Sequence, residues 1–270
     1  MEKKKSAGHN GSRPIVLSIS GSDPSGGAGI EADLKTFHQH GVYGTVIPTL
    51  LTAQNTLGVK KVRFMDPDFL AEQWKALFAD LKPGALKIGA LGSRRMVLRI
   101  AKLLASPQAR GIPIVLDPVM GSTSGASLLE SAAIPVLMKR VFPLCQIITP
   151  NAIEFSMLCG KSIDAKNAEN LLRDFGRDKS YAILLKGGHL EGADSTDLLW
   201  DRGRLTRIRG PRFKVGAHGT GCVLASSLAA NLALGYSLPE ACRLSKTFVR
   251  KALSTATRTG HGSRALNLWA

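Results

Sequence analysis

The stretch "IVLSISGSDPSGGAGIEADLKTF", residues 15–37, runs from a short apolar segment through a loop with glycines at 21, 26, 27 and 29 into a segment of helical character. Asp23 and Pro24 shape a turn in that loop. The glycines let backbone approach a ligand where a Cβ would collide or forbid the required φ. Asp33 falls on the first turns of the helix that follows. A carboxylate there can accept hydrogen bonds from a polar ligand seated in the loop, and it equally suits the positive end of a helix for local reasons. The unit reads as strand, loop and crossover helix, the repeat from which parallel α/β sheets are made.

The same alternation continues along the chain. Apolar runs predict strands at 15–19, 45–51, 86–88, 113–117, 146–149 and 182–186, with helices near 29–40, 67–80, 93–105, 126–138, 151–159 and 164–177. A strand pair at 197–200 and 205–209 around Gly203 precedes helices near 220–235 and 238–256. No linker, repeat or low-complexity stretch interrupts them, so one doubly wound αβα sandwich with a mostly parallel sheet is expected over 15–270. Residues 1–14, "MEKKKSAGHNGSRP", read as a flexible basic tail. That tail lacks the apolar core of a signal peptide, and no apolar run reaches the roughly eighteen residues of a membrane span, so a cytoplasmic protein without a membrane partner is expected.

Four cysteines, at 145, 159, 222 and 242, form neither a CxxC pair nor a disulfide framework. Three sit in apolar settings and read as inert core thiols. The net charge of +16 gathers between residues 202 and 264, where twelve Lys or Arg face a single Glu. Only Phe213, Tyr236 and Phe248 interleave with them, too few aromatics for a nucleic-acid platform, whereas a small polyanionic ligand suits such a segment.

In open α/β sheets ligands collect at the carboxyl ends of the strands, which turns attention to the loops there. Gln54 and Asn55 end the second strand, and an amide offers both donor and acceptor to the edge of a heteroaromatic ring. Asp117 ends "IVLD", and Asn151 and Glu154 open the helix after "IITP". Acidic groups at neighbouring strand ends can support Mg²⁺, which takes few carboxylates and keeps several waters; Glu154 equally fits an ordinary capping turn. Lys186 emerges from "ILLK" before two glycines, where a lysine snorkels or meets a phosphate. "HGTGC", residues 218–222, opens the penultimate helix. Backbone N–H groups from Gly219 to Cys222 would point out of its N-terminus toward an anion, and the same field would make an exposed Cys222 partly thiolate. Neither a Walker P-loop nor a Rossmann fingerprint is present.

Taken in order, "SGSDPSGGAGIEADLKTF", "TAQNT", "KIGAL", "DPVM", "ITPN", "KGGH" and "HGTGC" resemble the hydroxymethylpyrimidine/phosphomethylpyrimidine kinases of thiamine biosynthesis, within the ribokinase-like superfamily. The resemblance covers nearly the whole chain after the tail. It implies a ribokinase-like αβα sandwich that uses MgATP to phosphorylate 4-amino-5-hydroxymethyl-2-methylpyrimidine and then its monophosphate. It carries pyrimidine contacts to Gly21, Asp33, Gln54, Ala90 and Val119, and an anion hole to Gly219, Thr220 and Gly221 with Cys222 as base. Lys186 and Asn151 would meet ATP, Asp117 and Glu154 would support Mg²⁺, and a homodimer is implied. Three departures stand out: Glu31 where the family usually has Gln, Ala90 where it usually has Met, and "MGSTSG" for "MVAKSG". An enlarged pocket at Ala90 keeps a pyridoxal kinase of the same Cys-containing subgroup as the alternative. A non-catalytic pyrimidine sensor is disfavoured, because it has no use for phosphate machinery.

Overall fold

The computed structural model describes residues 13–121, 125–190, 194–213 and 216–269. Most of the expected N-terminal tail, the centre of "MGSTSG" and residues 214–215 therefore lie outside the described residues.

A nine-stranded sheet forms the middle layer. In chain order its strands are β1 (Ile15–Ser22), β2 (Tyr43–Asn55), β3 (Gly58–Phe64), β4 (Ala85–Ile88), β5 (Ile114–Leu116), β6 (Ile147–Ile148), β7 (Ala182–Leu185), β8 (Asp197–Asp201) and β9 (Arg204–Ile208). Their spatial order is β3-β2-β1-β4-β5-β6-β7-β8-β9. The six neighbours β2, β1, β4, β5, β6 and β7 run parallel; β3 at one edge and β8 at the other run against them, and β9 pairs antiparallel with β8. A small second sheet pairs β10 (Ala217–His218) with β11 (Arg264–Ala265).

Period-two alternation sorts each strand's side chains between two cores. Leu17, Ile19, Leu86, Ile88, Ile114 and Leu116 face one helical layer, which comprises α2 (Pro67–Asp80), α3 (Arg94–Leu104), α4 (Ile134–Arg140), α5 (Ala152–Cys159) and α6 (Ala168–Gly176). Val16, Ala85, Val115 and Ile147 face the other, where α7 (Thr220–Ala233) lies on the sheet beside α1 (Gly29–Gln39) and α8 (Leu238–Ser254). Residues Val223 to Asn231 of α7 are all buried, so small side chains let this helix sit between the sheet and its neighbours. Among the described residues no helix is long and apolar enough to cross a membrane.

Three expectations are corrected. The helix expected at 126–138 is α4, Ile134–Arg140 with Pro135 in its first turn; the residues before it cross irregularly over the strand ends. The second strand runs on to Asn55 and turns back as β3, whose sequence GVKKVRF hides an edge strand behind three cations. The β10–β11 pair was not anticipated, because two residues carry no periodicity.

Candidate active site

The strand ends open into one cavity of about 680 Å³. From one edge of the sheet to the other, Gln54 belongs to β2, Gly21 to β1, Ala90 follows β4, Asp117 and Val119 follow β5, Asn151 follows β6 and Lys186 follows β7. All of these line the cavity, together with Glu154 and the turn Gly219 to Cys222.

Asp33 is the exception. Its carboxylate is fully buried in the protein interior: Oδ2 accepts Ser18 Oγ at 2.5 Å and Lys87 Nζ at 2.7 Å, and Oδ1 accepts Ser226 Oγ at 2.6 Å. With both oxygens occupied it does not form cavity wall, which corrects the pyrimidine contact expected there. Lys87 is equally buried, and a pair of this kind costs about 3–5 kcal/mol when one partner is removed. Burial works against the Lys87 ammonium, but Asp33 more than offsets it, and its pKa stands above the ordinary lysine value. The signal for Lys87 was legible as a charge inside the apolar run "ALKIGAL"; its partner was not.

Asp23, read from sequence as a turn former, has that role and a second one. Its carboxylate accepts the N–H groups of Ser25 and Ala28, both at 2.9 Å. Its Oδ2 also accepts from His218 Nε2 at 3.1 Å, and that nitrogen lies 2.9 Å from Nε2 of Gln54. His218 Nε2 thereby stands between the glycine loop and the end of β2, at the start of the anion-binding turn, donating to Asp23 and in close contact with the Gln54 amide. Burial alone would raise the Asp23 pKa, yet hydrogen bonds from His218 and Ser25 hold it down at about 2. Glu31 does not reach the cavity. Its two oxygens accept Ser22 Oγ at 2.5 Å and the Asp23 N–H at 2.8 Å, so it braces the same loop.

The anion-binding turn needs its glycines for separate reasons. Gly219, the N-cap of α7, has φ 82°, and a Cβ there would stand 1.9 Å from the Gly27 carbonyl oxygen. A Cβ on Gly221 would come within 3.1 Å of both Asp117 Oδ2 and Lys186 Nζ. The first glycine lets two loops interlock, and the second lets the helix start approach a charged cluster.

That cluster comprises Lys186, Asp117 and Glu154. Lys186 Nζ donates to Asp117 Oδ1 at 2.7 Å and lies 3.8 Å from Glu154 Oε2. Burial works against the Lys186 ammonium, and the two carboxylates more than offset it. Burial pushes Glu154 up to about 7; Lys186 opposes that push and Asp117 adds to it. Glu154 also forms the capping box of α5, accepting the Asn151 N–H at 2.8 Å while Asn151 Oδ1 accepts the Glu154 N–H at 2.9 Å. Glu154 thus caps the helix and also lines the cavity.

Cys222 departs from the thiolate expected of an exposed helix N-terminus. Burial raises its pKa to about 11; Lys87 lowers it, but Asp33 and Asp117 counteract that pull. Its side chain is nevertheless only partly buried and lines the cavity. Of the other cysteines, Cys145 and Cys242 are buried, and burial pushes both thiols well above the ordinary range. Cys159 is half-buried, its Sγ 3.8 Å from the Ser156 carbonyl.

Among the described residues no group of three or more His, Cys, Asp or Glu side chains could hold a metal ion. The pair Asp117 and Glu154 nonetheless suits a cation that keeps most of its waters.

Comparison with known proteins gives a consistent result. The phosphomethylpyrimidine kinase family model matches residues 23–267. A hydroxymethylpyrimidine/phosphomethylpyrimidine kinase of Rhizobium meliloti is 41% identical over 247 residues, 90% of this chain and 92% of that protein. The crystal structure of a phosphomethylpyrimidine kinase from Clostridium difficile, 37% identical, superposes with a TM-score of 0.77 over 89% of this chain and all of that one. An ADP complex of Bacillus subtilis pyridoxal kinase, 26% identical, gives a TM-score of 0.86 over 96% of this chain and 98% of that one.

Proposed function

Because the chain belongs to the phosphomethylpyrimidine kinase family, we propose that it carries out the family's phosphoryl transfer in this cavity, from ATP to the hydroxymethyl group of 4-amino-5-hydroxymethyl-2-methylpyrimidine and then to its monophosphate. The chain is a phosphotransferase of thiamine biosynthesis with a ribokinase-like αβα fold. The observation that carries the site assignment is the lateral order of the cavity wall. Ring-facing groups (Gln54, Gly21, Ala90, Val119) lie over β2, β1, β4 and β5, charged groups over β5 to β7, and the Gly219–Cys222 turn also lines the cavity.

Phosphoryl transfer asks mainly for alignment and charge neutralisation. The N–H groups at the start of α7 face the transferred group, where the helix dipole favours the charge spreading over its oxygens. Lys186 adds a full positive charge beside them. Sγ of Cys222 accepts a hydrogen bond from the substrate hydroxyl and aims its oxygen at phosphorus; as the O–P bond forms and the bond to ADP breaks, the hydroxyl proton passes to an oxygen of the transferred phosphoryl group. In a loose transition state little charge builds on the attacking oxygen early, so orientation is the contribution that position makes. Asp117 and Glu154 would hold Mg²⁺, which when bound neutralises charge on the donor phosphates. Gln54, whose Oε1 accepts from Thr52 Oγ1 at 3.3 Å, presents an amide to the ring edge, and Asp33 supports the floor from behind rather than touching the substrate.

Glu154 gives this reading a pH signature. Its pKa in the folded protein lies above the ordinary carboxylate value, so the carboxyl is protonated below about 7 and ionised above it. At low Mg²⁺, kcat/KM should rise with pH through that value, and raising Mg²⁺ should move the inflection to lower pH, because proton and metal compete for one group. Glu154→Gln should remove the inflection. A profile that does not shift with Mg²⁺ counts against Glu154 as a metal group.

The decisive assay compares kcat/KM with MgATP for hydroxymethylpyrimidine, its monophosphate, pyridoxal and pyridoxine. The first two should be favoured. Preference for pyridoxal would support the alternative, which draws on the small Ala90 in the cavity wall and the likeness to pyridoxal kinase. Failure with all four would overturn the kinase reading.

A further inference from the structure

His218 sits where three segments meet. Its backbone, in β10, pairs with Ala265 of β11, and its ring packs on Gly27, where a Cβ would stand 3.0 Å from His218 Cδ2. Nε2 donates to Asp23 Oδ2 at 3.1 Å. The Asp23 pKa, at about 2, leaves that carboxyl ionised at neutral pH, so the imidazole nitrogen facing it carries a hydrogen. That hydrogen makes the second neighbour of Nε2 a misfit. Gln54 Nε2, which brings two hydrogens of its own and accepts none, lies 2.9 Å away. At the other end of the amide, Oε1 is 3.3 Å from Thr52 Oγ1, whose single hydrogen also serves the Ser22 carbonyl at 3.0 Å. An amide's oxygen and nitrogen exchange places by a half turn that leaves its outline unchanged.

We propose that His218 is the positioning residue that sets the sense of the Gln54 amide for substrate binding: half-turned, with Oε1 accepting from His218 Nε2 and Nε2 donating to Thr52 Oγ1. This sense converts a contact between two donors into a hydrogen bond, the imidazole hydrogen being shared between Asp23 and the amide oxygen. It also gives Thr52 Oγ1 a hydrogen to accept while its own stays on Ser22. The inference rests on the kinase reading above, in which the ring edge lies against Gln54. The amide then offers the ring an acceptor on the His218 side and a donor on the Thr52 side. The hydroxymethyl group points to the turn that begins one residue after His218. The 4-amino group, on the neighbouring ring carbon, therefore lies on the His218 side, with the ring nitrogen N3 beyond it. The amino group donates to Oε1, and N3 accepts from Nε2. A 4-oxo ring, which presents a carbonyl and then an N3–H, meets the reverse of what it needs. His218, acting through Gln54, thereby selects an aminopyrimidine over a pyrimidinone.

The test uses the full chain and two acceptors, hydroxymethylpyrimidine and its 4-oxo counterpart, 5-hydroxymethyl-2-methylpyrimidin-4-one. The native protein should favour the amino ring about a thousandfold in kcat/KM, because the wrong ring mismatches two polar pairs. In His218→Leu the amide is free to turn. There kcat/KM for the amino ring should fall about tenfold, mainly through KM, while the 4-oxo ring gains, so that the preference shrinks to about tenfold. His218→Gln, whose own amide turns its N–H toward Asp23, should recover most of the preference. An equal loss for both rings in His218→Leu would overturn the proposal, because a residue that merely braces the loop weakens both alike. The native protein gives an independent reading should that variant fail to fold. Nitrogen NMR of the labelled native chain should show His218 carrying its hydrogen at Nε2, and a bare nitrogen there would overturn the proposal. If neither ring is phosphorylated from MgATP, the kinase reading falls, while the NMR spectrum and calorimetry with the two rings still decide the role of His218.

Discussion

Lys186→Met is expected to lower kcat by about a thousandfold, the scale on which loss of a preorganised group facing transition-state charge is felt. The same change alters stability in a way that depends on pH. Lys186 is the positive partner of Asp117 and lies near Glu154, and both carboxylates are buried. Without the ammonium, Glu154, already at about 7, is pushed higher still. A carboxyl whose folded pKa stands above its unfolded value contributes stability while protonated and loses it as pH rises through the folded pKa. The variant should therefore melt below the native protein already near pH 6, where Asp117 has lost its buried partner, and further below it near pH 9, where Glu154 adds to the uncompensated charge; losing one partner of a buried pair costs about 3–5 kcal/mol. Steady-state kinetics and thermal melts at the two pH values check both halves. A variant with kcat within tenfold of native would remove Lys186 from the phosphate machinery, and a pH-independent loss of Tm would show that Glu154 is not coupled to it.

How much of this was readable before the fold was known depends on the distance over which each residue's meaning is fixed. The parallel strands announced themselves because apolar runs such as IVL at 114–116 need no partner to be recognised. The capping box at Asn151 and Glu154 is likewise local, three residues wide. Lys87 and Asp33 were opaque for the opposite reason. A charge in a strand signals that something pairs with it, but only the sheet brings α1, β1, β4 and α7 together around that pair. His218 lay in plain sight beside the glycines, yet its contacts with Asp23 and Gln54 join segments far apart in the chain. The early start expected for α4 failed because "SLLESAA" has helical spacing while its backbone is hydrogen-bonded to Gly92 and Met120, with Ser127 and Leu128 in the cavity wall. Ligand-facing segments follow the site more than their own propensity.

The thiol provides the sharpest test of what the surroundings do to a side chain. From sequence, a cysteine at a helix N-terminus reads as partly thiolate if it is exposed, since dipole and N–H groups favour the anion. In the folded chain, burial and the carboxylates of Asp33 and Asp117 outweigh Lys87, and the pKa reaches about 11. The direction of that shift favours the neutral thiol. A thiolate acting as general base would make kcat climb close to tenfold per pH unit from 7 to 9, whereas an orienting thiol leaves it nearly flat once Mg²⁺ is saturating. The flat profile is expected. Cys222→Ala should then lose about a hundredfold in kcat with little change in KM, a modest value for a group that guides a proton. Cys222→Ser, which keeps a lone pair for the substrate hydroxyl, should stay within about tenfold of native. Near-normal turnover in the alanine variant would remove Cys222 from catalysis, and a log-linear rise toward pH 9 in the native enzyme would restore the thiolate. The glycines flanking this residue would keep their function in either case, because the interlock at Gly219 and the close approach at Gly221 depend on backbone space and not on the state of the sulfur.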